Sequence, residues 1–328
     1  MKRTSIFFLL ISLLLSCNET KKDIIPSIEK VIFDTDMGPD FDDVGAITVL
    51  HSLADGGECE ILATLSCNSH PSIAPTIEAL NRFYGKENLP IGIPDQTGVN
   101  FTANNNWNDS LLSKFAPDLR FKTDYPIASE VYRKILSQQP DNSVTIVTVG
   151  FTTNLSNLLK TQGDKYSPLS GIELISKKVK KWVAMAGRFP EGREFNVFTD
   201  SISSSYAFEN WPTTVLLSGF EIGERILTGE KLAQLDTLNN PSSWAYKYNL
   251  TTSFSKKRMS WDQTAVLCAI RDPEKYFYVC GPGKIITDSA GNNHWAPSVD
   301  GNHYFLVHKY PYQKIADTID SLMMYNPN

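Results

Sequence analysis

Histidine and cysteine are scarce in this sequence, five of each in 328 residues, and neither is arranged for chemistry. His51, His70, His294, His303 and His308 lack metal-ligand spacing, so core or surface packing is expected for each. His70, two residues after Asn68, is the one that could approach a site formed there. Cys59, Cys67, Cys268 and Cys280 form neither a zinc pattern nor a disulfide framework, and mostly buried free thiols are expected. Long basic runs are also absent, and a formal charge of −5 argues against a nucleic-acid partner. No repeat, low-complexity block or linker-like stretch follows residue 30, which leaves one domain over 29–328. With 41% hydrophobic residues, a chain of this length can bury a real core.

A membrane-spanning apolar run is missing too. The apolar stretch from Ile6 to Leu15 is too short to cross a bilayer comfortably, and it follows Lys2 and Arg3. Those flanks make residues 1–16 a signal peptide. The LLSC tetrapeptide ending at Cys17 resembles the lipobox of bacterial lipoproteins, whose cysteine is lipidated and becomes the new N-terminus. The resemblance implies an extracytoplasmic protein, periplasmic or at the cell surface, tied to a membrane only through Cys17. Residues 17–28 would be the tether. A plain cleaved signal with an incidental cysteine is the alternative. Loss of Lys2 and Arg3 takes the formal charge from −5 to −7.

What the chain does have is alternation. VIF (31–33), EILATLS (60–66), VTIVTV (144–149), KWVAMA (181–186) and TTVLLS (213–218) read as strands. DVGAITVLHSL, PTIEALNRFYG and TTNLSNLLK read as helices between them. Near-continuous apolar strands separated by helices predict an α/β fold, doubly wound, with a mostly parallel sheet covered by helices on both faces. Ligands of such folds bind beyond the carboxyl ends of the strands, where the strand order reverses. Several predicted strands end in polar groups: DTDMGPDFDD, Cys67-Asn68, Gly150 with Thr152-Thr153-Asn154, and GRFPEGREFN.

DTDMGPDFDD packs five carboxylates into ten positions, which is costly unless something compensates the charge. It could be a solvated loop in which Asp42 or Asp43 caps the following helix. It could be a cation site, for which an oxygen-rich set without thiols or imidazoles suits calcium or magnesium. It could also be the Asp-x-Asp start of a phosphatase. Five acids at the ligand-binding edge of a sheet favour the cation site.

Four ordered motifs settle the direction. Asp34-Thr35-Asp36-Met37-Gly38 followed by Asp42-Asp43 resembles the Asp-x-Asp-x-Gly and Asp-Asp opening of the inosine-uridine-preferring nucleoside hydrolases. VTVGFTTNLSNLL, EFNVFTD (194–200) and SWDQTAVLCAI resemble that family's Gly-x-x-Thr-Asn segment, its Glu-Phe-Asn segment and its late aspartate before a helix. The resemblance covers about residues 29 to 310 and implies a calcium-dependent (Ca2+) hydrolase of the N-glycosidic bond of nucleosides. It assigns Asp36 as calcium ligand and as the base that deprotonates the attacking water. Asp43, the backbone carbonyl of Val149 and Asp262 would be further ligands. Asp42, Asn68, Glu194 and Asn196 would hold ribose hydroxyls. A homo-oligomer is compatible with the sequence, which gives no subunit number.

Three departures from the family pattern matter. Two extra residues separate Gly38 from Asp42-Asp43, so Asp40 competes for a carboxylate role. Trp261 stands where several members carry a histidine that protonates the leaving base. An indole face can stack on a purine instead, and purine preference is expected, with Trp107 as a candidate second face. Arg188 and Arg193 stand near a missing family asparagine, where an arginine could recognise a 5′ anion such as phosphate. The competing readings are a non-catalytic, calcium-dependent sugar- or nucleoside-binding lipoprotein and a haloacid-dehalogenase-type phosphatase. In the latter, Gly38 occupies the place of an expected threonine.

Overall fold

The computed structural model describes residues 28–327. The expected signal segment, Cys17 and all of the tether but Ile28 lie outside the described residues. All five runs read as strands form them: β1 (Glu29–Thr35), β2 (Cys59–Ser66), β3 (Val144–Val149), β4 (Val179–Met185) and, after a short β5 (Glu191–Arg193), β6 (Thr214–Ser218). Apart from β5 they are parallel, in the order β2-β1-β3-β4-β6. Between them run α1 (Asp42–Asp55), α2 (Ile73–Phe83), α3 (Trp107–Phe115), α4 (Ala128–Gln138), α5 (Thr153–Lys160), α6 (Gly171–Lys178), α7 (Phe195–Thr199) and α8 (Ser201–Asn210).

Side chains alternate across a strand, so a strand buried on both faces must be apolar throughout. In β1, Val31 and Phe33 enter one apolar layer, with Ile47 of α1, Ile77 of α2 and Leu111 of α3. Ile32 enters the opposite layer, with Leu136 of α4, Leu155 of α5, Leu174 of α6 and Phe208 of α8. Helices therefore cover both faces, as the alternation predicts.

The C-terminal third extends the sheet in a way the apolar runs do not announce. It comprises α9 (Phe220–Glu224), β7 (Leu227–Thr228), α10 (Pro241–Thr252), β8 (Arg258–Met259), α11 (Trp261–Ile270), β9 (Phe277–Thr287), β10 (Asn292–Pro297), β11 (His303–His308) and α12 (Tyr312–Met323). β11 pairs parallel with β6, and β9, β10 and β5 follow antiparallel to complete nine strands. Strand β9 is half exposed and carries Gly281-Pro282-Gly283, which reads as a turn in sequence. Among the described residues no helix is long and apolar enough to cross a membrane.

Neither Asp42 nor Asp43 caps α1, contrary to the capping reading. The N-cap position falls on Phe41, without a side-chain cap bond, and both acids lie buried in the first turn. Cys59, Cys67 and Cys268 are buried free thiols, as expected, while Cys280 is exposed.

His51 packs in the core. Its Nε2 lies 2.9 Å from Asn81 Oδ1, and its ring stacks on Tyr84 at 4.6 Å between centroids. Burial lowers its pKa from 6.5 to about 4. A depressed folded pKa gives stability that is full above 6.5 and lost as pH falls through about 4. His51→Gln should therefore flatten the fall of the unfolding midpoint between pH 6.5 and 4, measured by thermal denaturation against the parent protein.

Candidate active site

Strand β1 has β2 on one side and β3 on the other, so the order reverses at their carboxyl ends. The acidic segment begins there. Asp36 follows β1 directly, and the chain turns at Met37, held in the left-handed region at φ 38°. Asp43 Oδ1 closes the segment back on β1, accepting from Met37 N at 3.0 Å and from the Thr35 hydroxyl. Its Oδ2 is buried with no partner among the described residues. Asn68 secures the other flank, its Nδ2 donating to the Asp36 carbonyl at 3.1 Å and the Phe101 carbonyl at 2.7 Å. Beneath, the buried Asp34 accepts from Tyr132 and Asn154, tying the opening motif to the Thr-Asn segment of α5.

Above these groups opens a cavity of about 420 Å³. Its polar wall is Asp36, Asp40, Asp42, Glu194, Asn196, Arg258 and Asp262, with Val149 at the end of β3. Its apolar wall includes Phe101, Phe195, Phe220 and Trp261. Glu194 caps α7, accepting from Asn196 N and Val197 N, and also from Gly187 N. Asn196 Nδ2 donates to the Met185 carbonyl at 3.2 Å. Asp262 sits in the first turn of α11, where the helix dipole favours a carboxylate.

Burial raises the pKa of Asp36, Asp42 and Asp262 well above the usual range, and neighbouring acids push each further. Asp43 rises to about 7 for the same reasons. Glu194 also rises to about 7, through burial opposed by its backbone donors. One cation relieves part of this repulsion. Arg258 Nε and Nη2 lie 3.1 and 3.0 Å from Asp42 Oδ1, and Nη2 also bonds Asp40. Burial works against the charge of Arg258, but Asp40 and Asp42 outweigh it and raise its pKa.

The residues picked from sequence thus divide. Asp36, Asp40, Asp42, Val149, Glu194, Asn196, Trp261 and Asp262 line one cavity. Asp43 lies behind them, fully buried. Asn68 has its amide committed to loop backbone and braces the wall rather than facing the cavity. Asp40 and Asp42 are both paired with Arg258, and Asp42 has that bond where a sugar contact was expected. Trp107 is not a base-stacking partner: it is fully buried in the core at the start of α3. Arg193 turns away, its Nε donating to the Ala290 carbonyl and its guanidinium over Phe198. Arg188 stacks on the outer side chain of the wall, 4.4 Å from the Phe220 ring. His70 does not line the cavity and bonds Ser72 instead. Sequence reasoning missed Arg258 and the Phe101–Asn104 stretch; Arg258 stands three residues before Trp261, so proximity to the late motif was its one signal.

Among the described residues no three His, Cys, Asp or Glu side chains are gathered tightly enough to form a ready metal centre. The donor types nevertheless fit a hard cation. Asp43 Oδ2 is an orphaned buried acceptor among the described residues, and the carboxylates of Asp36 and Asp262 line the adjoining cavity.

The family model described as inosine-uridine preferring nucleoside hydrolase matches residues 31–299. No curated protein matches the chain by sequence. Among solved structures, a plant nucleoside hydrolase is similar at 18% identity and TM-score 0.68, covering 90% of this chain and 99% of its own. An inosine-guanosine nucleoside hydrolase is similar at 18% identity and TM-score 0.68, with 91% and 99% covered. A purine-preferring ribonucleoside hydrolase from Gardnerella vaginalis is similar at 15% identity and TM-score 0.66, with 90% and 98% covered. Each of these carries the same fold.

Gly150, after β3, is what lets Asp36 sit where it does. A Cβ there would lie 2.6 Å from Asp36 N and 2.7 Å from Cys67 Sγ. Backbone cannot yield as a flexible side chain can. Gly150→Ala is expected to displace Asp36 and lower turnover about 100-fold in a chain that still gives a folded circular-dichroism spectrum.

Proposed function

The chain belongs to the inosine-uridine preferring nucleoside hydrolase family, a family of hydrolases acting on nucleosides, and we propose that it is a calcium-dependent, purine-preferring member. The observation that carries the calcium part is the buried Asp43 Oδ2 without a partner among the described residues, beside the cavity-lining carboxylates of Asp36 and Asp262. Asp36, Asp43, Asp262 and the Val149 carbonyl would hold the ion. Calcium accepts six to eight oxygens in an irregular shell, so a set of carboxyl groups and a backbone carbonyl suits it. When bound, calcium supplies the positive charge that acidifies water and grips vicinal hydroxyls.

The remaining work falls to side chains. Asp36, at the end of β1, takes the proton of the attacking water. Glu194 and Asn196 face the cavity from the start of α7 and orient the sugar, with their backbone bonds fixing the rotamers. Cleavage builds oxocarbenium character on the ribose, which a wall of carboxylates stabilises.

Support for a purine comes from the aromatic wall of Phe101, Phe195, Phe220 and Trp261. Trp261 Nε1 donates to the Phe220 carbonyl at 2.7 Å, so the indole offers its ring rather than its N–H. Two of the similar structures are named for purine substrates. We also propose that Cys17 anchors the protein to the outer side of a cytoplasmic membrane or to an outer membrane, where it would release base from extracellular nucleosides.

In a base-release assay, inosine should turn over faster than uridine, and chelation should abolish both activities. Asp36→Asn should lower inosine turnover about 100-fold or more. Faster turnover of uridine overturns purine preference alone; full activity in chelator overturns the calcium role.

A further inference from the structure

No histidine lines the cavity among the described residues, and the Trp261 N–H is spent on backbone, so neither an imidazole nor the indole is there to assist the departing base. Arg258 is the one Lys, Arg or His among the described residues lining the cavity. Two of its nitrogens are fixed. Nε and Nη2 are held by Asp42 and Asp40, while Nη1 has no acceptor among the described residues. The guanidinium carbon lies 4.9 Å from the Trp261 ring and 5.2 Å from the Phe41 ring, and the side chain is 20% exposed. A base attached to a ribose over Asp36 and Asp262 would extend toward Trp261, which adjoins Asp262 in sequence and shares its cavity.

We propose that Arg258 is a catalytic residue that carries the departing base. The inference rests on the nucleoside-hydrolysis reading and deepens it. The N–H groups of Nη1 hydrogen-bond the acceptor edge of a purine, whose N7 and O6 suit a guanidinium. As the C1′–N9 bond breaks, its electron pair leaves with the base, and negative charge grows on the ring beside the fixed cation. The water oxygen bonds C1′ and its proton passes to Asp36. The base anion takes a proton from solvent as it departs, and Asp36 returns its own to solvent. Arg258 donates hydrogen bonds but no proton, since a guanidinium paired with two carboxylates stays charged.

The bland alternative is that Arg258 only neutralises Asp40 and Asp42. The two roles separate on leaving-group dependence. Inosine needs help to release its base; 4-nitrophenyl riboside releases a stable anion unaided. With calcium saturating, Arg258→Met should lower kcat/KM for inosine about 100-fold, and should lower it for 4-nitrophenyl riboside at least tenfold less. Arg258→Lys keeps a charge near the acids but loses the planar fork, and should show the same bias to a smaller degree. It decides the question if the methionine variant does not fold. Equal losses on both substrates, or no loss on inosine, overturn the proposal. A parent protein that cleaves neither substrate overturns the nucleoside-hydrolysis reading beneath it.

Discussion

Crowding of like charge at the end of β1 is the constraint around which the molecule is arranged. Five carboxylates lie within ten residues, four of them buried, and a buried carboxylate without compensation costs several kcal/mol. The structure answers with three devices of different reach. Asp43 is held by the Thr35 hydroxyl and the Met37 amide, a local solution within one turn of chain. Asp34 is held from α4 and α5 by Tyr132 and Asn154, a solution that crosses the sheet. Asp40 and Asp42 are held by Arg258, more than 200 residues away in sequence. Asp36 and Asp262 instead face the cavity. Those two, with Asp43 Oδ2, are the acceptors a hard cation would satisfy, and the unequal treatment of the acids marks out the chemistry.

Much of this was legible in sequence, for a physical reason. The five parallel strands are buried on both faces, so they had to be continuous apolar runs, and such runs cannot be mistaken for loops. Because ligand sites in this architecture gather at strand ends, the polar residues after β1 and β4 identified their own cavity, while those after β3 brace it from beneath. The antiparallel extension is different. β9 and β10 are paired on both sides and lie toward the rim of the sheet, where many side chains meet water; the pairing of β9 with β11 shifts register beside Gly281-Pro282, and such an irregularity accommodates a proline.

Within the site, residues placed by backbone position reach the cavity more consistently than residues singled out by side-chain type. Val149 and Glu194 are placed by strand and helix ends, and both face the cavity. Trp107 was chosen for its ring, and the ring is in the core, since a large apolar side chain at the start of an amphipathic helix is worth more buried than exposed. Asn68 shows a third kind of outcome. Its amide can make up to four hydrogen bonds, and four are made to loop backbone: donors to Asp36 and Phe101, acceptors from His70 and Phe101. A side chain so committed sets the shape of the wall instead of reaching a ligand.

The departures from the family pattern are therefore not independent. The two additional residues before Asp42-Asp43 supply Asp40. Asp40, with Asp42, fixes the guanidinium of Arg258. Arg258 in turn lies against Trp261, the residue that replaces a histidine beside the late aspartate. Each constrains the others: Arg258 without both acids would be a half-buried cation with no counter-charge, and Asp40 without Arg258 would add repulsion to Asp36 and Asp43. Gly223 belongs to the same arrangement, because a Cβ there would come within 2.3 Å of the Trp261 Cα, and only glycine lets α9 close over the indole. The acidic segment after β1 and the stretch before the late aspartate are thus joined into one device by an ion pair in the cavity wall.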